Sequence, residues 1–441
     1  MQGLLKKIAL ALGVLKFQDA SGHPVCIVGA GPAGLTAAAE LELKGKQTVV
    51  FEKQDAVGGK CQAVYQDGGF SPLGALIFTP PTYRESIKMI VKSGVVSVPF
   101  ISGNKYQYNT TTGELWERAK PPPGFVQLLM QEVGRYVRWW NNNFYLYNTA
   151  ASYRHGIPDE LTVTTADWLA KNQYKALQTV FIQSMVAYGY GDYRQVPIIY
   201  MLQYLTPDVM MALLKVQQGV EVNIADRTGD HPTIKYHTSQ DPNQQTKTQP
   251  CSAVVIAFPP TLRALQSAGL DLTESERAVF SAVGINSFFS GAVRMKTPHA
   301  MTFGAASPHP MLPVDPTGEP VVAVKLHQDL EVAITSSWGP YRGNLTKAEA
   351  YDRLKSTLSK LNRDPRDSAS VAVPVTDEDV LAFQENDYFP HFDEHELAMG
   401  YYEKFERLQG QGKTYYASGF NMFELIEYAI RAGQDVVRTH F

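Results

Sequence analysis

Residues 25–34 read Val-Cys-Ile-Val-Gly-Ala-Gly-Pro-Ala-Gly, an apolar run that ends in a glycine-rich turn. A second apolar run ends at Glu52, eighteen residues beyond Gly34. Gly29 permits the tight turn, Gly31 lets the backbone approach a pyrophosphate, and Gly34 lets a helix pack closely on the sheet. The free N–H groups at the start of that helix favour phosphate. This order of strand, glycine turn, helix and strand predicts a Rossmann-type α/β domain that binds a dinucleotide.

A second glycine pair indicates which dinucleotide is bound. Glu52 is placed to accept the ribose hydroxyls, and its charge disfavours a 2′-phosphate. Six residues later begins Gly58-Gly59-Lys60, which lets a second backbone segment close over the pyrophosphate and adds a positive charge. This extension resembles the double-glycine motif of FAD enzymes of the flavin amine oxidase and glutathione reductase type. Because the sequence has no second Gly-x-Gly-x-x-Gly unit, we expect no dedicated NAD(P)H domain and electrons that enter from the substrate.

The composition is that of an ordinary globular enzyme. The chain has 441 residues, of which 44% are hydrophobic and 19% are charged, and its net charge is −3. This balance gives no indication of nucleic-acid binding. The 23 tyrosines and 20 phenylalanines suit a pocket for a large apolar or unsaturated ligand, although any one of them could equally belong to the core.

The three cysteines, Cys26, Cys61 and Cys251, are scattered and form no Cys-x-x-Cys motif. We therefore expect neither a disulfide framework nor a zinc knuckle. Some amine oxidases hold FAD through a C-terminal cysteine thioether. No cysteine follows position 251 here, which predicts that the FAD is bound non-covalently.

The N-terminal segment, residues 1–23, allows two interpretations. Two lysines precede a short apolar run, as in a secretion signal, but Leu4, Leu5, Ile8, Leu12 and Leu15 also form one helical stripe. We favour an amphipathic lead helix that docks on the body of the protein or makes peripheral contact with a membrane surface. The corresponding location is cytoplasmic or membrane-associated, with secretion as the alternative. No apolar run reaches the ~18 residues of a membrane span.

Hydrophobic periodicity places a helical block beside the predicted dinucleotide domain. A helical pattern over residues 165–185 breaks at Tyr188-Gly189-Tyr190-Gly191, and residues 95–125 read as a lid or connection. Further helices are predicted at 196–205, 207–215, 346–361 and 422–439, and strands at 220–222, 234–237, 254–257, within 285–336 and at 414–419.

The predicted fold class is α/β: a Rossmann-type FAD-binding domain interleaved with a mixed-sheet substrate domain and a helical cap. FAD folds interleave their domains along the chain, so several boundaries are expected. The predicted segments are a lead helix (1–23), three FAD-binding parts (24–95, 216–265 and 406–441), a substrate and helical cap region (96–215) and a substrate domain (266–405).

Motifs spread over most of the chain resemble the flavin amine oxidase superfamily: the two glycine motifs, the Ala-Phe-Pro-Pro-Thr-Leu turn at 257–262 and the Tyr-Tyr-Ala-Ser-Gly stretch at 415–419. Residues 187–200, 388–391 and 400–410 look closer to FAD-dependent polyunsaturated fatty acid isomerases. Fungal enzymes similar to β-cyclopiazonate dehydrogenase share much of the outline. The chain departs from the superfamily in two places. Residues 215–220 form a short connection where related enzymes usually carry an additional helix. The chain also lacks the second aromatic residue of the substrate cage that amine oxidases have.

The resemblance implies a set of cofactor contacts and catalytic candidates. The expected FAD contacts are Gly29, Gly31, Pro32, Ala33, Gly34, Glu52, Lys53, Gly59, Lys60, Gly74, Ala75, Val222, Gly419, Phe420 and Met422. Lys296 matches a strand-end lysine that amine oxidases place near the flavin, with an ordinary surface lysine as the alternative. Tyr188 and Tyr190 would line the substrate side or pack in the core.

The implied reaction is hydride abstraction from an allylic carbon of a lipophilic unsaturated substrate. We expect a polyunsaturated fatty acid double-bond isomerase, with two alternatives: a dehydrogenase or oxidative cyclase of a lipophilic metabolite, and a non-catalytic flavin-fold scaffold. A free fatty acid needs a cation for its carboxylate, and Lys105 and Arg84 are the candidates. The His391–His395 stretch fits the His-x-x-Glu-His zinc pattern, but it offers no third ligand, so no metal is expected.

Overall fold

The computed structural model describes residues 22–66, 69–74, 82–93, 105–149, 152–212, 233–236, 247–299, 301–307, 309, 311–326, 328 and 330–441. Its strands are β1 (Val25–Val28), β2 (Thr48–Phe51), β3 (Ala63–Gln66), β4 (Gly69–Pro72), β5 (Lys105–Tyr108), β6 (Leu115–Glu117), β7 (Thr233–Tyr236), β8 (Lys247–Pro250), β9 (Ala253–Ile256), β10 (Gly284–Arg294), β11 (Thr302–Ala305), β12 (Val322–Lys325), β13 (Val332–Trp338), β14 (Val380–His391) and β15 (Thr414–Tyr416).

The α-helices are α1 (Pro32–Leu43), α2 (Arg84–Ser93), α3 (Pro123–Trp139), α4 (Asp159–Thr162), α5 (Thr165–Lys171), α6 (Leu177–Ala187), α7 (Ile198–Tyr204), α8 (Pro207–Ala212), α9 (Leu262–Ser267), α10 (Glu274–Phe280), α11 (Lys347–Leu361), α12 (Glu394–Ala398), α13 (Tyr401–Glu406) and α14 (Ile426–His440). None of the helices in these described ranges is long and apolar enough to span a bilayer.

A four-stranded parallel sheet forms the first layer, in the order β15-β9-β1-β2. Its strands come from three widely separated stretches of the chain, and β1 and β9 are buried along their whole length. Helices α1 and α14 pack closely, since a Cβ added at Gly433 would overlap the carbonyl oxygen of Ala33. This sheet brings the glycine turn after β1 near the loop that precedes α14.

The second sheet has seven strands in the order β14-β10-β13-β12-β11-β5-β6. It is mixed, because β5 pairs with β11 in parallel while the other neighbours are antiparallel. Together the two sheets and their helices confirm the predicted fold class of a Rossmann-type domain with a mixed-sheet second domain. The domain boundaries stay a prediction.

Several elements differ from the sequence expectations. The helix predicted over 165–185 is two helices, α5 and α6, because the chain turns at Gln173, which has a left-handed φ of 56°. The expected lid at 95–125 contains β5 and β6, which extend the seven-stranded sheet. The lead helix and the strand at 220–222, including Val222, lie outside the described residues, as does Ala75.

The expectation that the cysteines form no disulfide is wrong. Cys26 and Cys251 are joined as a disulfide with a Cα–Cα distance of 5.6 Å, and both are fully buried. Cys26 lies in β1, and Cys251 lies two residues before its parallel neighbour β9. The two cysteines are 225 residues apart in the sequence, so no local pattern indicates their pairing, which results from the neighbouring positions of β1 and β9 in the sheet. Cys61 is a free thiol.

Candidate functional site

The turn after β1 has the geometry of a dinucleotide cradle. Gly29 has a φ of 114°, which side chains rarely adopt, and a Cβ there would lie 3.2 Å from the carbonyl oxygen of Ala257. A Cβ at Gly34 would overlap the carbonyl oxygen of Gly29. Gly31 is the N-cap residue of α1, and no side chain caps that helix, so its first N–H groups remain available for phosphate. These glycines let the backbone segments pack closely beside the uncapped start of α1, where the pyrophosphate of FAD would be held.

Glu52 lies at the end of β2, beside the glycine turn. Its carboxylate accepts hydrogen bonds from the backbone N–H groups of Ala30, at 3.2 Å, and Gln54, at 2.6 Å. Burial raises the pKa of Glu52, while these N–H donors oppose the rise. The carboxylate thus lies at the carboxyl end of the parallel strands, where the ribose of a bound dinucleotide is expected. The exposed Lys53 follows it directly.

The double-glycine segment lies against the first glycine turn. Gly58 and Gly59 have positive φ angles of 120° and 63°, and the N–H of Gly58 donates to the carbonyl oxygen of Ala30 at 3.0 Å. Two separate backbone segments therefore converge on one place, as the sequence predicts. Gly74, after β4, is half-buried.

Lys60 joins the first and last parts of the chain. Its Nζ lies 2.8 Å from Oε1 of Glu424, and both side chains are about six-sevenths buried, with 14% and 15% exposed. The same ammonium lies 5.3 Å from the centre of the Tyr388 ring. The positive charge after the double glycine therefore faces a carboxylate and an aromatic ring at the edge of the cofactor domain.

An aromatic cluster lies beside this ion pair. We define it as the side chains of Tyr188, Tyr190, Tyr204, Phe288, Tyr388, Phe389 and Phe423. Tyr190 is at its centre, with ring centroids 4.9 Å from Tyr204, 5.6 Å from Tyr388, 5.4 Å from Phe389 and 4.7 Å from Phe423. The Tyr190 hydroxyl donates to the carbonyl oxygen of Glu424 at 3.2 Å. The cluster thus touches the segment that contains the ion pair.

The turn after α6 positions two of these tyrosines. Gly189 and Gly191 have φ angles of 73° and 99°, so both need glycine. A Cβ at Gly189 would overlap the ring of Phe288. The amide of Asn286 donates to the carbonyl oxygen of Gly189 at 2.8 Å and ties the turn to β10. The Tyr-Gly-Tyr-Gly sequence therefore has a steric reason for each glycine.

Strand β14 carries an irregularity at the same place. Its pairing with β10 shifts register between Gly284 and Asn286, and Phe389 has a left-handed φ of 49°. Such strain in a residue other than glycine clusters at functional sites, and a β-bulge redirects side chains. Here it lets Tyr388 stack on Phe288 at 4.7 Å while the adjacent Phe389 packs edge-on against Tyr190.

The phenols of the cluster are held in their neutral form. Burial raises the pKa of Tyr190 and Tyr204 well above the ordinary tyrosine value, and nearby phenols, including Tyr388, raise it further. Burial also raises the pKa of Tyr388, with Glu424 adding to the rise. These three hydroxyls, of Tyr190, Tyr204 and Tyr388, are therefore neutral hydrogen-bond donors or acceptors at neutral pH.

The C-terminal segment approaches the cluster through residues 419–424. Gly419 begins a short 3₁₀ turn, and a Cβ there would lie 3.1 Å from the Cα of Glu424. The carbonyl oxygens of Phe420 and Met422 each accept a tyrosine hydroxyl at 3.1 Å, from Tyr402 and Tyr153 respectively. Helix α14 then starts at Ile426, and no side chain caps its first N–H groups.

Lys296 is not brought to this site. Its side chain is 60% exposed and pairs with Glu331 at 3.0 Å. It follows β10 at the end opposite to Phe288, and at ~3.3 Å per residue the strand between Phe288 and Arg294 alone spans roughly 20 Å. The structure thus favours the surface alternative for this lysine, because the direction of β10 carries it away from the cluster.

The two cations suggested for a substrate carboxylate also lie elsewhere. The side chain of Arg84 is 69% exposed and pairs with Glu85, and Lys105 is an exposed residue of β5 beside Arg118. Lys60 is the lysine that the described residues place against the cluster. Of the residues that line this region, the sequence reasoning missed Tyr204, Phe288, Phe423 and Glu424, which belong to no local motif.

His391, the first residue of the zinc-like pattern, packs behind the cluster. Its ring stacks on Phe389 at 4.1 Å, and burial lowers its pKa to about 4. His395 lies in the first turn of α12, where Asp393 and Glu396 form a capping box. Across the described ranges, no group of three His, Cys, Asp or Glu side chains is arranged to hold a metal ion.

Comparisons with known proteins give an independent view. A family model described as an NAD(P)-binding Rossmann-like domain matches residues 27–93. The chain is 23% identical over 433 residues to the FAD-dependent oxidoreductase dpasF of Apiospora sacchari, covering 89% of this chain and 87% of that protein. It is 26% identical over 214 residues to the polyenoic fatty acid isomerase of Ptilota filicina, covering 42% and 41%.

Solved structures share the whole fold. The CLA-producing fatty acid isomerase from P. acnes matches with a TM-score of 0.77 at 21% identity, covering 95% of this chain and 99% of that one. Putrescine oxidase matches with a TM-score of 0.60 at 16% identity, covering 94% and 98%. At these identities the structural likeness establishes the fold.

The geometry of the cradle, the fold and the matches to known proteins all indicate an enzyme that uses FAD. The predictions of FAD as the cofactor and of an enzyme rather than a scaffold are confirmed. The chain is an FAD-dependent enzyme, and its fold is shared by a fatty acid isomerase and by putrescine oxidase.

Proposed function

We propose that the protein removes hydride from an allylic carbon of a lipophilic unsaturated substrate and isomerises the double bonds of a polyunsaturated fatty acyl chain. The observation that carries the proposal is the position of the aromatic cluster. It lies against the Lys60–Glu424 pair, where the double-glycine segment and the C-terminal segment meet. An apolar chain entering this cluster would lie beside the cofactor-binding parts of the protein.

Bound FAD supplies a two-electron hydride acceptor. The protein's own contribution is to hold the substrate and to exclude water. Tyr190, Tyr204 and Phe423 are each at most 2% exposed, so they form a dry, aromatic wall. A doubly allylic carbon that loses hydride leaves a delocalised cation, and the faces of Tyr and Phe rings attract cations by roughly 0.5–2 kcal/mol each.

The electron balance of the proposed reaction needs no external oxidant. A hydride leaves the central carbon between two double bonds, and the same hydride returns to a terminal carbon of the five-carbon cation. One C–H bond breaks and one forms, and the two double bonds become conjugated. This agrees with the single dinucleotide motif in the sequence, since no NAD(P)H is consumed. The partial match to a polyenoic fatty acid isomerase supports the substrate class.

The second candidate is a dehydrogenase or oxidative cyclase of a lipophilic metabolite. The share of the chain that the sequence matches cover favours it. The match to the oxidoreductase dpasF extends over 89% of the chain, whereas the match to the polyenoic fatty acid isomerase extends over 42%. This reaction would begin with the same hydride abstraction and pass the two electrons to oxygen. The cradle and the aromatic cluster serve both reactions equally.

Incubation with a polyunsaturated fatty acyl substrate, run once in air with an oxygen electrode and once anaerobically, tests the proposal. The isomerase should produce conjugated-diene ultraviolet absorbance without oxygen uptake or peroxide. Oxygen consumption equal to product would instead support the dehydrogenase. If primary amines or polyamines bleached the flavin while unsaturated lipids had no effect, the lipid proposal would be abandoned.

A further inference from the structure

One hydroxyl of the aromatic cluster is buried without a hydrogen-bond partner in the described structure. Tyr204, the last residue of α7, is 2% exposed, and its hydroxyl has no partner. Its ring lies 4.9 Å from that of Tyr190 and stacks on Phe423 at 5.7 Å. Buried polar groups in folded proteins are nearly always paired, so an unpaired hydroxyl within a candidate site indicates a ligand that completes it.

Tyr200 on the same helix shows that this lack of a partner is specific to Tyr204. It lies one turn earlier in α7 and is 1% exposed. Its hydroxyl contacts the carbonyl oxygen of Phe392 at 3.1 Å and the Tyr402 hydroxyl at 3.3 Å. Two similarly buried tyrosines on one helix thus differ in their hydrogen bonding, because the Tyr200 hydroxyl has partners within the protein and the Tyr204 hydroxyl has none in the described structure.

The charges near Tyr204 indicate what kind of ligand atom it accepts. Among the residues that the structure describes, Lys60 is the lysine against the cluster, and Glu424 lies 2.8 Å from it, so these two charges balance. Arg84 and Lys105 lie outside the cluster. A carboxylate buried here without its own cation would be strongly disfavoured. The polar atom of the ligand should therefore be an uncharged acceptor.

We propose that the Tyr204 hydroxyl donates a hydrogen bond to a neutral oxygen of the substrate, such as an ester carbonyl attached to the unsaturated chain. The hydroxyl thereby selects a fatty acyl ester over the free fatty acid. This inference rests on the proposed function for the class of substrate. It concerns how the substrate is held, however, and it can be tested without turnover.

The first test compares Tyr204→Phe with Tyr200→Phe by thermal unfolding of the FAD-loaded enzyme. Removing an unpaired buried hydroxyl should leave the Tm unchanged or raise it. Removing the partnered hydroxyl of Tyr200 should lower the Tm by about 2 °C. If the Tm of Tyr204→Phe fell as far as that of Tyr200→Phe, the hydroxyl would have an internal partner and the inference would be overturned.

The second test measures binding of methyl oleate, which has no doubly allylic carbon and so does not require the proposed reaction. Wild type and Tyr200→Phe should bind it equally, and Tyr204→Phe should bind it about three- to tenfold more weakly. Equal binding by Tyr204→Phe, or no binding by wild type, overturns the inference. FAD affinity should be the same in all three proteins, and a loss confined to FAD would assign the hydroxyl to the cofactor instead.

The third test compares methyl linoleate with free linoleate. Wild type should bind the ester at least tenfold more tightly, and this preference should shrink in Tyr204→Phe. Equal or tighter binding of the free acid would overturn the neutral-oxygen inference. If the ester binds as expected and is never converted, the proposed function fails while the role of Tyr204 stands.

Discussion

The dinucleotide cradle and the aromatic cluster are built by different means. The cradle comes from one short stretch, residues 25–60, in which close backbone contacts or positive φ angles require glycine at positions 29, 34, 58 and 59. The cluster is assembled from the turn after α6, the end of α7, strands β10 and β14, and the loop before α14. Its members meet through tertiary packing, so no local spacing in the sequence marks them as one group. A local sequence motif therefore specifies the cofactor side of the site, and the tertiary fold brings together the residues of the aromatic cluster.

The strongest test of this contrast is Gly34→Ala in the cradle. The added Cβ would overlap the carbonyl oxygen of Gly29, and backbone cannot move aside as a side chain can. We expect loss of nearly all bound flavin, measured as the flavin-to-protein ratio after purification. The control is Gly124→Ala, also in the first turn of a helix, where a Cβ meets nothing within 4 Å. A Gly34→Ala protein that kept the wild-type flavin-to-protein ratio would contradict the assignment of this turn as the FAD-binding cradle.

Gly189→Ala is the corresponding change in the cluster. It places a side chain at a φ of 73° and against the Phe288 ring, which together should cost about 2–4 kcal/mol of stability. Gly45→Ala has a φ of 77° and open space, so it isolates the backbone strain. Gly189→Ala should lower substrate binding and Tm beyond the control while retaining FAD. Equal behaviour of the two variants would show that the contact with Phe288 is unimportant.

Glu52→Ala tests the ribose contact. Removing a charged acceptor should weaken FAD binding by roughly 1.5–3 kcal/mol, measured by flavin fluorescence titration of the apoprotein. Asp55→Ala, an exposed acidic residue three positions later, is the matched control and should retain wild-type affinity. If both variants bound FAD equally, the ribose would not be held by Glu52.

His391 behind the cluster predicts a pH dependence of stability. Burial lowers its pKa from 6.5 to about 4, so the unfolded chain binds the proton at a higher pH than the folded one. Its contribution is complete above pH 6.5 and is lost as the pH falls towards 4, about 2 kcal/mol between pH 7.5 and 5. In denaturant unfolding, His391→Gln should lose this change in the free energy of unfolding between pH 7.5 and 5. His395 is exposed, so His395→Gln should keep the change. The reverse pattern would place the titrating group elsewhere.

The sequence predicts the dinucleotide cradle well because the steric requirements that define it concern residues that are close together in the chain. Gly29, Gly34 and Glu52 lie where the pattern of strand, turn and helix places them. The Tyr188–Gly191 turn is also readable, because two glycines with positive φ angles mark a forced change of direction. The partners that complete the site, such as Tyr204 and Phe423, are aromatic residues without spacing or motif to distinguish them from core.

Two positions differ from the sequence expectations for the same physical reason. Lys296 resembles a catalytic lysine by its position after a strand, but the direction of β10 places it on the surface with Glu331. Cys26 and Cys251 show no spacing pattern, but the parallel pairing of β1 with β9 brings them together. Both outcomes depend on sheet topology, which no local pattern contains.

The central claim is that hydride leaves an allylic carbon of the substrate and returns to the same molecule. The direct measurement uses a polyunsaturated fatty acyl ester carrying two deuterium atoms at the doubly allylic carbon, incubated anaerobically with the FAD-loaded enzyme. Mass spectrometry should find a conjugated product that keeps both deuterium atoms, with one moved to a new carbon. A product that has lost one deuterium, formed only when oxygen is admitted, would contradict the isomerase and establish the oxidase.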